Sequence, residues 1–429
     1  MSGVPALGPL RHRAFTWYLA SRTVNLLGLT AASVAMAFAV LDLGGSATSL
    51  GQVLAARTVP MVVVLLFGGV LADRLPRTLV LQAANLTSAA VQGTTAVLLL
   101  TGRAELWLLL VLQAVHGVAS GLGFPAMAAM VPGLVPREQL QPANALLSAS
   151  RGLTAIAGPS LGTLLVVTVG SGWAVLADAA TWLVAALLLV PVRHRSVPRA
   201  AVASGRPASS ASTLHELREG WRLFRGTTWL WAVVAGFGVL NAIGAGAWLT
   251  LGPALAGGTI GRQAWGWVLS AEAAGALAAT VVLLRVRLPR PLLTGMLAVS
   301  LLGVPMLVLG LDPRVGLLVV ASFAAGIGLE VFGMGWNLAM QENIDESQLS
   351  RAYSYDALGS FVAMPVGQLV YGPLGDRFGY APVIAWSGVA YVAVALSVLL
   401  SRSVRTLPRA PRVPATAPAG GVDALTGPG

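Results

Sequence analysis

The sequence predicts an all-α membrane protein in which twelve transmembrane helices form two six-helix, pseudo-symmetric halves. The first observation is composition: of 429 residues, 56% are hydrophobic and 10% are charged, and the mean hydropathy is +0.78. Soluble domains carry about 25% charged residues, so this composition indicates a chain that crosses a membrane many times. The second observation is a series of long apolar segments, and the third is the distribution of arginine between them.

Twelve apolar segments, each near the ~20 residues that a helix needs to cross hydrocarbon, follow one another along the chain. Those before the polar centre span 14–40, 47–72, 79–101, 105–131, 142–169 and 172–191. Those after it span 228–256, 264–284, 291–311, 315–343, 352–373 and 380–401. Two sets of six are typical of a duplicated transporter. We therefore divide the chain into an N-terminal half (1–191), a cytoplasmic linker (192–227), a C-terminal half (228–401) and a tail (402–429).

The linker and the tail differ in composition from the segments that they flank. In the linker, Leu214, Leu217, Trp221 and Phe224 recur at helical spacing with charged residues between them, which predicts a helix lying in the membrane interface. A plain linker is the alternative. The tail is rich in Pro, Ala and Gly after several arginines, and we expect it to be disordered.

Arginine sets the predicted orientation. The chain has no lysine, so all 27 basic residues are arginine. With the N-terminus inside, 20 arginines fall on the cytoplasmic side and 4 on the outer side. This bias places both termini and the linker in the cytoplasm. We read the net charge of +11 as this orientation and not as nucleic-acid binding.

Two missing residue types exclude several kinds of chemistry. Without lysine there is no Walker A loop and no Schiff base, and without cysteine there is no disulfide or thiolate catalysis. We therefore expect no enzyme activity, no cofactor and no metal site. The expected location is the inner membrane of a bacterium.

A short charged turn joins the second and third segments. It reads Gly68-Gly69-Val70-Leu71-Ala72-Asp73-Arg74-Leu75-Pro76-Arg77. It resembles the signature G-x-L-A-D-R-x-G-R that the major facilitator superfamily carries between spans 2 and 3, with Pro76 in place of the second glycine. The resemblance covers nearly the whole chain and implies a transporter whose two halves rock about a central site. Three further stretches, 117–146, 217–221 and 356–379, resemble the branch of drug exporters that includes macrolide and enterobactin exporters.

The resemblance implies a gating role for Gly69, Asp73, Arg74 and Arg77, because this turn holds the cytoplasmic end of superfamily members shut in the outward-facing state. The residues themselves suit that role: a carboxylate here can pair with an arginine or with the N-terminus of a helix from the other half. The alternative is that the arginines only set topology, which does not require Asp73. A similar run, 375–379, falls on the outer side, and we expect no second gate there.

Four acids within the segments are candidates for coupling transport to protons: Glu330, Glu272, Asp178 and Asp356. Glu330 is the deepest, about 22 Å along its segment at 1.5 Å per residue. A carboxyl group in apolar surroundings binds a proton more readily than one in water. The alternative is a fixed ion pair between an acid and a membrane arginine.

Other polar residues are candidates for lining a substrate cavity, or for hydrogen bonding between helices. They are Arg22, Asn25, Arg57, Arg151, Asn241, Trp336 and Asn337. Span four lacks the arginine of the superfamily's proton-transfer motif, and Gln113 and His116 are its nearest polar residues. We expect His116 to be a packing residue.

Span five carries Gly158, Pro159 and Gly162 in an arrangement that resembles the antiporter signature G-P-x-x-G-G, with Thr163 in place of the last glycine. The resemblance implies a bend that seals the cavity against ion leak. A kink that serves only packing is the alternative.

These observations predict a secondary active transporter that exports amphipathic small molecules, drug-like or siderophore-like, by proton antiport with alternating access. The alternatives are an uptake facilitator for sugars or metabolites and a membrane sensor without transport. The expected partners are a small-molecule substrate, protons and the lipid bilayer, with no nucleic acid, and we expect a monomer.

Overall fold

The computed structural model describes residues 7–67, 76–128, 130–192, 222, 224–286 and 288–407. Within these ranges, twelve helices are long and apolar enough to cross a membrane, which confirms the predicted number and fold class. The first half contains α1 (Arg13–Asp42), α2 (Ala47–Phe67), α3 (Arg77–Leu100), α4 (Leu106–Ala128), α5 (Leu140–Val169) and α6 (Ser171–Leu189). The second half contains α7 (Thr228–Gly258), α8 (Arg262–Leu283), α9 (Pro291–Leu311), α10 (Val315–Asn343), α11 (Glu346–Phe378) and α12 (Tyr380–Val398).

The two halves pack in the same way. In the first half α1 packs on α5 and α6, α2 on α4, and α3 on α4 and α6. In the second half α7 packs on α11 and α12, α8 on α10, and α9 on α10 and α12. Each pair therefore has its counterpart six helices later in the chain, as expected for a duplicated bundle.

A single glycine makes the same turn in each half. Gly170 joins α5 to α6 with φ of 95°, and Gly379 joins α11 to α12 with φ of 87°. Residues with a side chain adopt such positive φ angles rarely, so glycine permits these one-residue connections. The matching turns at equivalent places support the internal repeat.

The halves meet along two helix pairs, α2 with α11 and α5 with α8. Glycines let these helices approach closely, as in other membrane bundles. A Cβ atom on Gly51 of α2 would overlap the carbonyl oxygen of Gln368 on α11. A Cβ atom on Gly266 of α8 would overlap the Thr163 hydroxyl of α5.

Three regions differ from the expected pattern. Helix α7 contains a π-helical stretch, Gly244–Leu251, between two α-helical pieces. Helix α11 begins at Glu346, six residues before the apolar segment, because its first turns are polar. The start of the predicted disordered tail forms the short helix α13 (Arg402–Thr406), in which Val404 is buried; this corrects the prediction for those residues. Most of the linker, with the predicted interfacial helix, and residues 408–429 lie outside the described ranges.

Candidate functional site

The predicted cytoplasmic gate falls mainly outside the described residues. Gly69, Asp73 and Arg74 belong to 68–75. Arg77 is described and is the first residue of α3, after Pro76 at the N-cap. The gating role of this turn therefore stays a prediction.

The end of the bundle opposite the predicted cytoplasmic gate is closed by two groups of polar contacts, which together we call the outer clasp after its predicted side. In the first group, Asp42 at the end of α1 accepts hydrogen bonds from Arg262 Nη1 at the start of α8 (3.1 Å) and from the Ser171 hydroxyl at the start of α6 (2.9 Å). The Arg262 guanidinium also lies 5.0 Å from the centre of the Phe38 ring. One carboxylate thus ties together both halves.

In the second group, Asp376 at the end of α11 caps the start of α2. Its Oδ2 accepts hydrogen bonds from the Thr48 backbone N–H (3.3 Å) and from the Thr48 hydroxyl, and its Oδ1 accepts one from the Tyr380 hydroxyl (2.8 Å). A carboxylate at a helix N-terminus is stabilised by the free N–H groups there. Asp376 belongs to the run 375–379 in which we expected no gate, yet this run joins the two halves at the outer end.

The acids within the membrane helices have neutral hydrogen-bond partners. Glu330 accepts a hydrogen bond from the Thr280 hydroxyl (3.0 Å), and Asp356 accepts them from the Trp336 indole (3.0 Å) and the Ser360 hydroxyl (3.5 Å). Among the described residues, none of the four acids lies within ion-pair distance of an arginine. The alternative of a fixed ion pair is therefore absent from this part of the chain.

Glu272 lines a cavity inside the C-terminal half. The cavity has a volume of about 190 Å³, and residues from all six helices α7–α12 line it. Its polar lining includes Asn241, Glu272 and Tyr391, and the indole N–H of Trp248 donates a hydrogen bond of 3.2 Å to Glu272 Oε2. Trp248 lies in the π-helical stretch of α7, and such stretches are frequent at functional sites. The lining contains no basic residue, so nothing there neutralises a charged Glu272.

The interior of the N-terminal half holds a polar network beside a cavity of about 220 Å³, which Asp178 and Thr181 line together with apolar residues of α1, α5 and α6. Gln113 donates a hydrogen bond to Gln92 (3.2 Å), and Gln92 donates one to Asp178 Oδ2 (2.7 Å). Arg57 lies close enough to act electrostatically on Asp178 and on His116. Both nitrogens of His116 and Oδ1 of Asp178 are buried without a hydrogen-bond partner.

The cavity candidates separate into three places. Arg22 and Asn25 on α1 share a hydrogen bond (3.0 Å), and Arg151 on α5 lies near them. Arg57 belongs to the polar network, and Asn241 lines the Glu272 cavity. The other two are tied to α11.

Trp336 and Asn337 contact α11 through different groups. Trp336 donates a hydrogen bond to Asp356, as described above, and packs against Trp229 with the ring centres 5.8 Å apart. Asn337 accepts a hydrogen bond from the Tyr353 hydroxyl (3.0 Å). The candidates therefore do not converge on one site.

The antiporter-like residues of α5 form a packing surface on two sides. Cβ atoms on Gly158 and Gly162 would overlap Thr30 and the Ala31 carbonyl of α1. Pro159 lies inside the helix, and its carbonyl accepts a hydrogen bond from Thr163 (3.0 Å). This geometry supports the packing alternative. Pro159 also lies against α8 of the other half, where a Cβ atom on Gly266 would overlap its carbonyl oxygen.

Several residues of these sites had no distinguishing signal in the sequence. Thr48, Ser171 and Gln92 are common polar residues, and their partners lie 86 to 328 positions away along the chain. Asp42 and Arg262 fall in outer loops where charges are ordinary. Asp42 follows the first predicted span of its half and Arg262 follows the first predicted span of the other half. Their contact could have been expected only by assuming that these two equivalent connections meet.

The proteins of similar sequence include two efflux proteins. The chain is 26% identical over 384 residues to the multidrug efflux pump Tap of Mycolicibacterium fortuitum, covering 86% of this chain and 91% of that protein. It is 23% identical over 398 residues to macrolide efflux protein A of Streptococcus pyogenes, covering 90% and 96%. It is also 22% identical over 321 residues to an uncharacterised MFS-type transporter, YvqJ of Bacillus subtilis, covering 74% and 75%.

Solved structures show the same fold. The nucleoside transporter NupG superposes with a TM-score of 0.71 at 14% identity, covering 90% of this chain and 99% of that one. An inward-facing bacterial homologue of ferroportin superposes with a TM-score of 0.65 at 17% identity, covering 90% and 98%. The family model described as the Major Facilitator Superfamily matches residues 19–367. With its twelve helices in two matching halves, the chain belongs to the major facilitator superfamily.

Proposed function

We propose that this transporter exports amphipathic small molecules from the bacterial cytoplasm in exchange for protons, by alternating access between its two halves. The efflux proteins that it resembles support export. The single structural observation that carries the proposal is the outer clasp, in which Asp42 and Asp376 join the halves through hydrogen bonds at partly exposed positions. Exposed polar contacts are individually weak, about 0.2–1 kcal/mol, so they can break and re-form in each cycle.

We assign proton coupling to Glu272 from among the four acids. It faces a cavity that is large enough for several waters, each of which takes about 30 Å³ in the liquid. A carboxyl group in such a place exchanges protons through the water and stays neutral when the cavity is dry. Glu330 and Asp356 line neither of the two cavities. Asp178, which lines the cavity of the N-terminal half, is held by Gln92 and lies near Arg57.

The experiment is substrate-driven proton movement in proteoliposomes that contain the full chain and a pH-sensitive dye inside. A panel of amphipathic compounds, including a macrolide, is added across a pH gradient. We expect at least one compound to accelerate collapse of the gradient, and the Glu272→Gln variant to lose this acceleration while it still exchanges labelled substrate.

The Glu105→Gln variant is the matched control, because Glu105 lies in an outer turn where it accepts a hydrogen bond from Trp107. It should behave as the wild type. If no compound moves protons, proton antiport is refuted. If Glu272→Gln couples normally, Glu272 is not the carrier.

A further inference from the structure

Two arginines lie near each other on neighbouring helices of the N-terminal half. Arg22 on α1 donates a hydrogen bond to Asn25 Oδ1 (3.0 Å), and Arg151 on α5 is exposed and acts on Arg22 electrostatically. Among the described residues, no carboxylate lies within ion-pair distance of either guanidinium. We call Arg22 and Arg151 the arginine pair. Charged residues within membrane helices face a partner or a water-filled cavity, so this unmatched positive charge requires an explanation.

The helices that carry the arginine pair are fixed together next to it. Thr23 follows Arg22 in the sequence and Ser150 precedes Arg151. The hydroxyl groups of Thr23 and Ser150 share a hydrogen bond of 2.7 Å. Further along the same interface, the Thr30 hydroxyl donates a hydrogen bond to the Thr154 carbonyl (3.0 Å). The two like charges are therefore held close by the fold, although their repulsion opposes it.

The side-chain amide of Asn25 is a third hydrogen-bond donor beside the arginine pair. Asn25 is 4% exposed, and its Nδ2 is buried without a hydrogen-bond partner, while its Oδ1 is occupied by Arg22. A buried amide N–H₂ that lacks an acceptor is costly. Two guanidinium groups and this amide thus present donors at one place, and what that place lacks is an acceptor with negative charge.

We propose that Arg22, Arg151 and Asn25 bind the anionic group of the exported molecule, a sulfonate, carboxylate or phosphate attached to an apolar body. The planar guanidinium matches the oxygens of such groups with two parallel hydrogen bonds. This assignment rests on the proposed function, since it names the substrate class of the exporter. A cationic or neutral substrate would leave the arginine pair unneutralised.

The test is equilibrium binding to the purified full chain in phosphatidylcholine nanodiscs. The probes are naphthalene-2-sulfonate, which is charged at every working pH, and neutral naphthalene-2-sulfonamide, with empty nanodiscs as the blank. We expect the wild type to bind the sulfonate at least tenfold more tightly than the sulfonamide. Arg151→Gln and Arg22→Gln should each remove most of that preference, and Arg151→Lys, which keeps the charge, should retain part of it.

Arg103→Gln is the matched control, because Arg103 is an exposed arginine in the turn before α4, and it should keep the full preference. The Arg151 side chain makes no hydrogen bond or ion pair within the described part of the chain, so we expect its replacement to leave the fold intact, and the test stays decisive even if Arg22→Gln is unstable. Equal binding of both probes to the wild type, or an unchanged preference in Arg151→Gln, overturns the proposal.

A second arm separates a soluble anion from a lipid headgroup, which offers the same phosphate chemistry. The titration is repeated in nanodiscs of phosphatidylglycerol. Retained sulfonate affinity supports a substrate site, whereas loss of binding assigns the arginine pair to the lipid and overturns the substrate assignment. Because no gradient is used, this result is independent of proton antiport: sulfonate binding through the arginine pair without proton movement would refute the proposed function alone.

Discussion

At the scale of single residues, Asp42 is the group of the outer clasp that contacts an arginine of the other half. It receives hydrogen bonds from Arg262 and Ser171, and its side chain is 34% exposed. Exposed ion pairs contribute about 0.2–1 kcal/mol, so Asp42→Asn should shift the balance of outer-closed and outer-open states by about 1.4-fold to fivefold. The reporter is Ala55→Cys, a buried position on the face of α2 that carries Thr48 and Gly51.

The native chain has no cysteine, so a water-soluble maleimide reacts with the reporter alone. We expect faster labelling in Asp42→Asn than in the reporter chain itself. Asp312→Asn is the control, because Asp312 pairs only with exposed Arg314 in the turn before α10. An unchanged labelling rate in Asp42→Asn would mean that this contact does not hold the outer end shut.

Asp178 should contribute to the stability of the folded protein. It is 3% exposed and accepts a hydrogen bond of 2.7 Å from Gln92. Asp178→Ala leaves the buried Gln92 amide without its acceptor, so we expect a loss of about 2 kcal/mol in the free energy of unfolding. Asp178→Asn keeps an acceptor oxygen and should cost less. Thermal unfolding in detergent measures both, and equal melting temperatures for wild type and Asp178→Ala would contradict this account.

Sequence reasoning located the polar groups within the membrane but not their partners. Glu330 is only partly buried and binds Thr280, whereas Glu272 and Asp178 lie in the interiors of separate halves. Depth follows from counting residues along one helix. The hydrogen-bond partner of a side chain depends on how several helices are oriented about their axes, which the hydropathy pattern of a sequence does not specify.

At the scale of helices, close packing of α2 on α11 is what closes the outer end. A Cβ atom on Gly51 would overlap the carbonyl oxygen of Gln368. Gly51→Ala therefore forces these helices apart when the outer end is closed, and we expect faster labelling of the Ala55→Cys reporter. Gly93→Ala is the matched control, since its Cβ would lie 3.9 Å from that of Ala179, an ordinary contact within one half. Slower or equal labelling in Gly51→Ala would show that the helices separate elsewhere.

Helix positions were largely predictable because the membrane requires long apolar stretches with satisfied backbone groups. The predicted segment 315–343 matches Val315–Asn343, and 291–311 matches Pro291–Leu311. The π-helical stretch in α7 was not predictable, because Gly244–Leu251 is as apolar as its neighbours. Its geometry arises where Gly246 packs against Tyr371 and Gly367 of α11, a tertiary contact.

At the scale of the whole molecule, the two halves are alike in packing but different inside. The N-terminal half holds a polar network beside its cavity, with Arg57 close to Asp178, whereas the cavity of the C-terminal half has one carboxyl, Glu272, and no basic residue in its lining. This asymmetry suits a division of labour in which one half recognises the substrate and the other carries the proton. In this proposal the shared helix packing allows the two halves to rock against each other. Substrate binding and proton binding depend on the residues in which the two halves differ.

Two aspartates should hold opposite ends of the molecule in this motion. Asp376 caps α2 at the outer end, and the sequence predicts that Asp73 closes the cytoplasmic end. In a two-state transporter, loss of either contact favours the state in which the other end is closed. Asp376→Asn should therefore speed labelling of Ala55→Cys, and Asp73→Asn should slow it and abolish efflux while the protein still inserts into the membrane.

The direction of change is decisive because both substitutions remove one carboxylate charge and keep the side-chain size. General loosening of the bundle would speed labelling in both variants, whereas alternation between two states moves them in opposite senses. Asp312→Asn again reports the effect of losing a charge from a surface turn. Faster labelling in Asp73→Asn, or wild-type efflux from it, would remove Asp73 from the cytoplasmic gate, and the outer clasp would then have to act without an opposing contact.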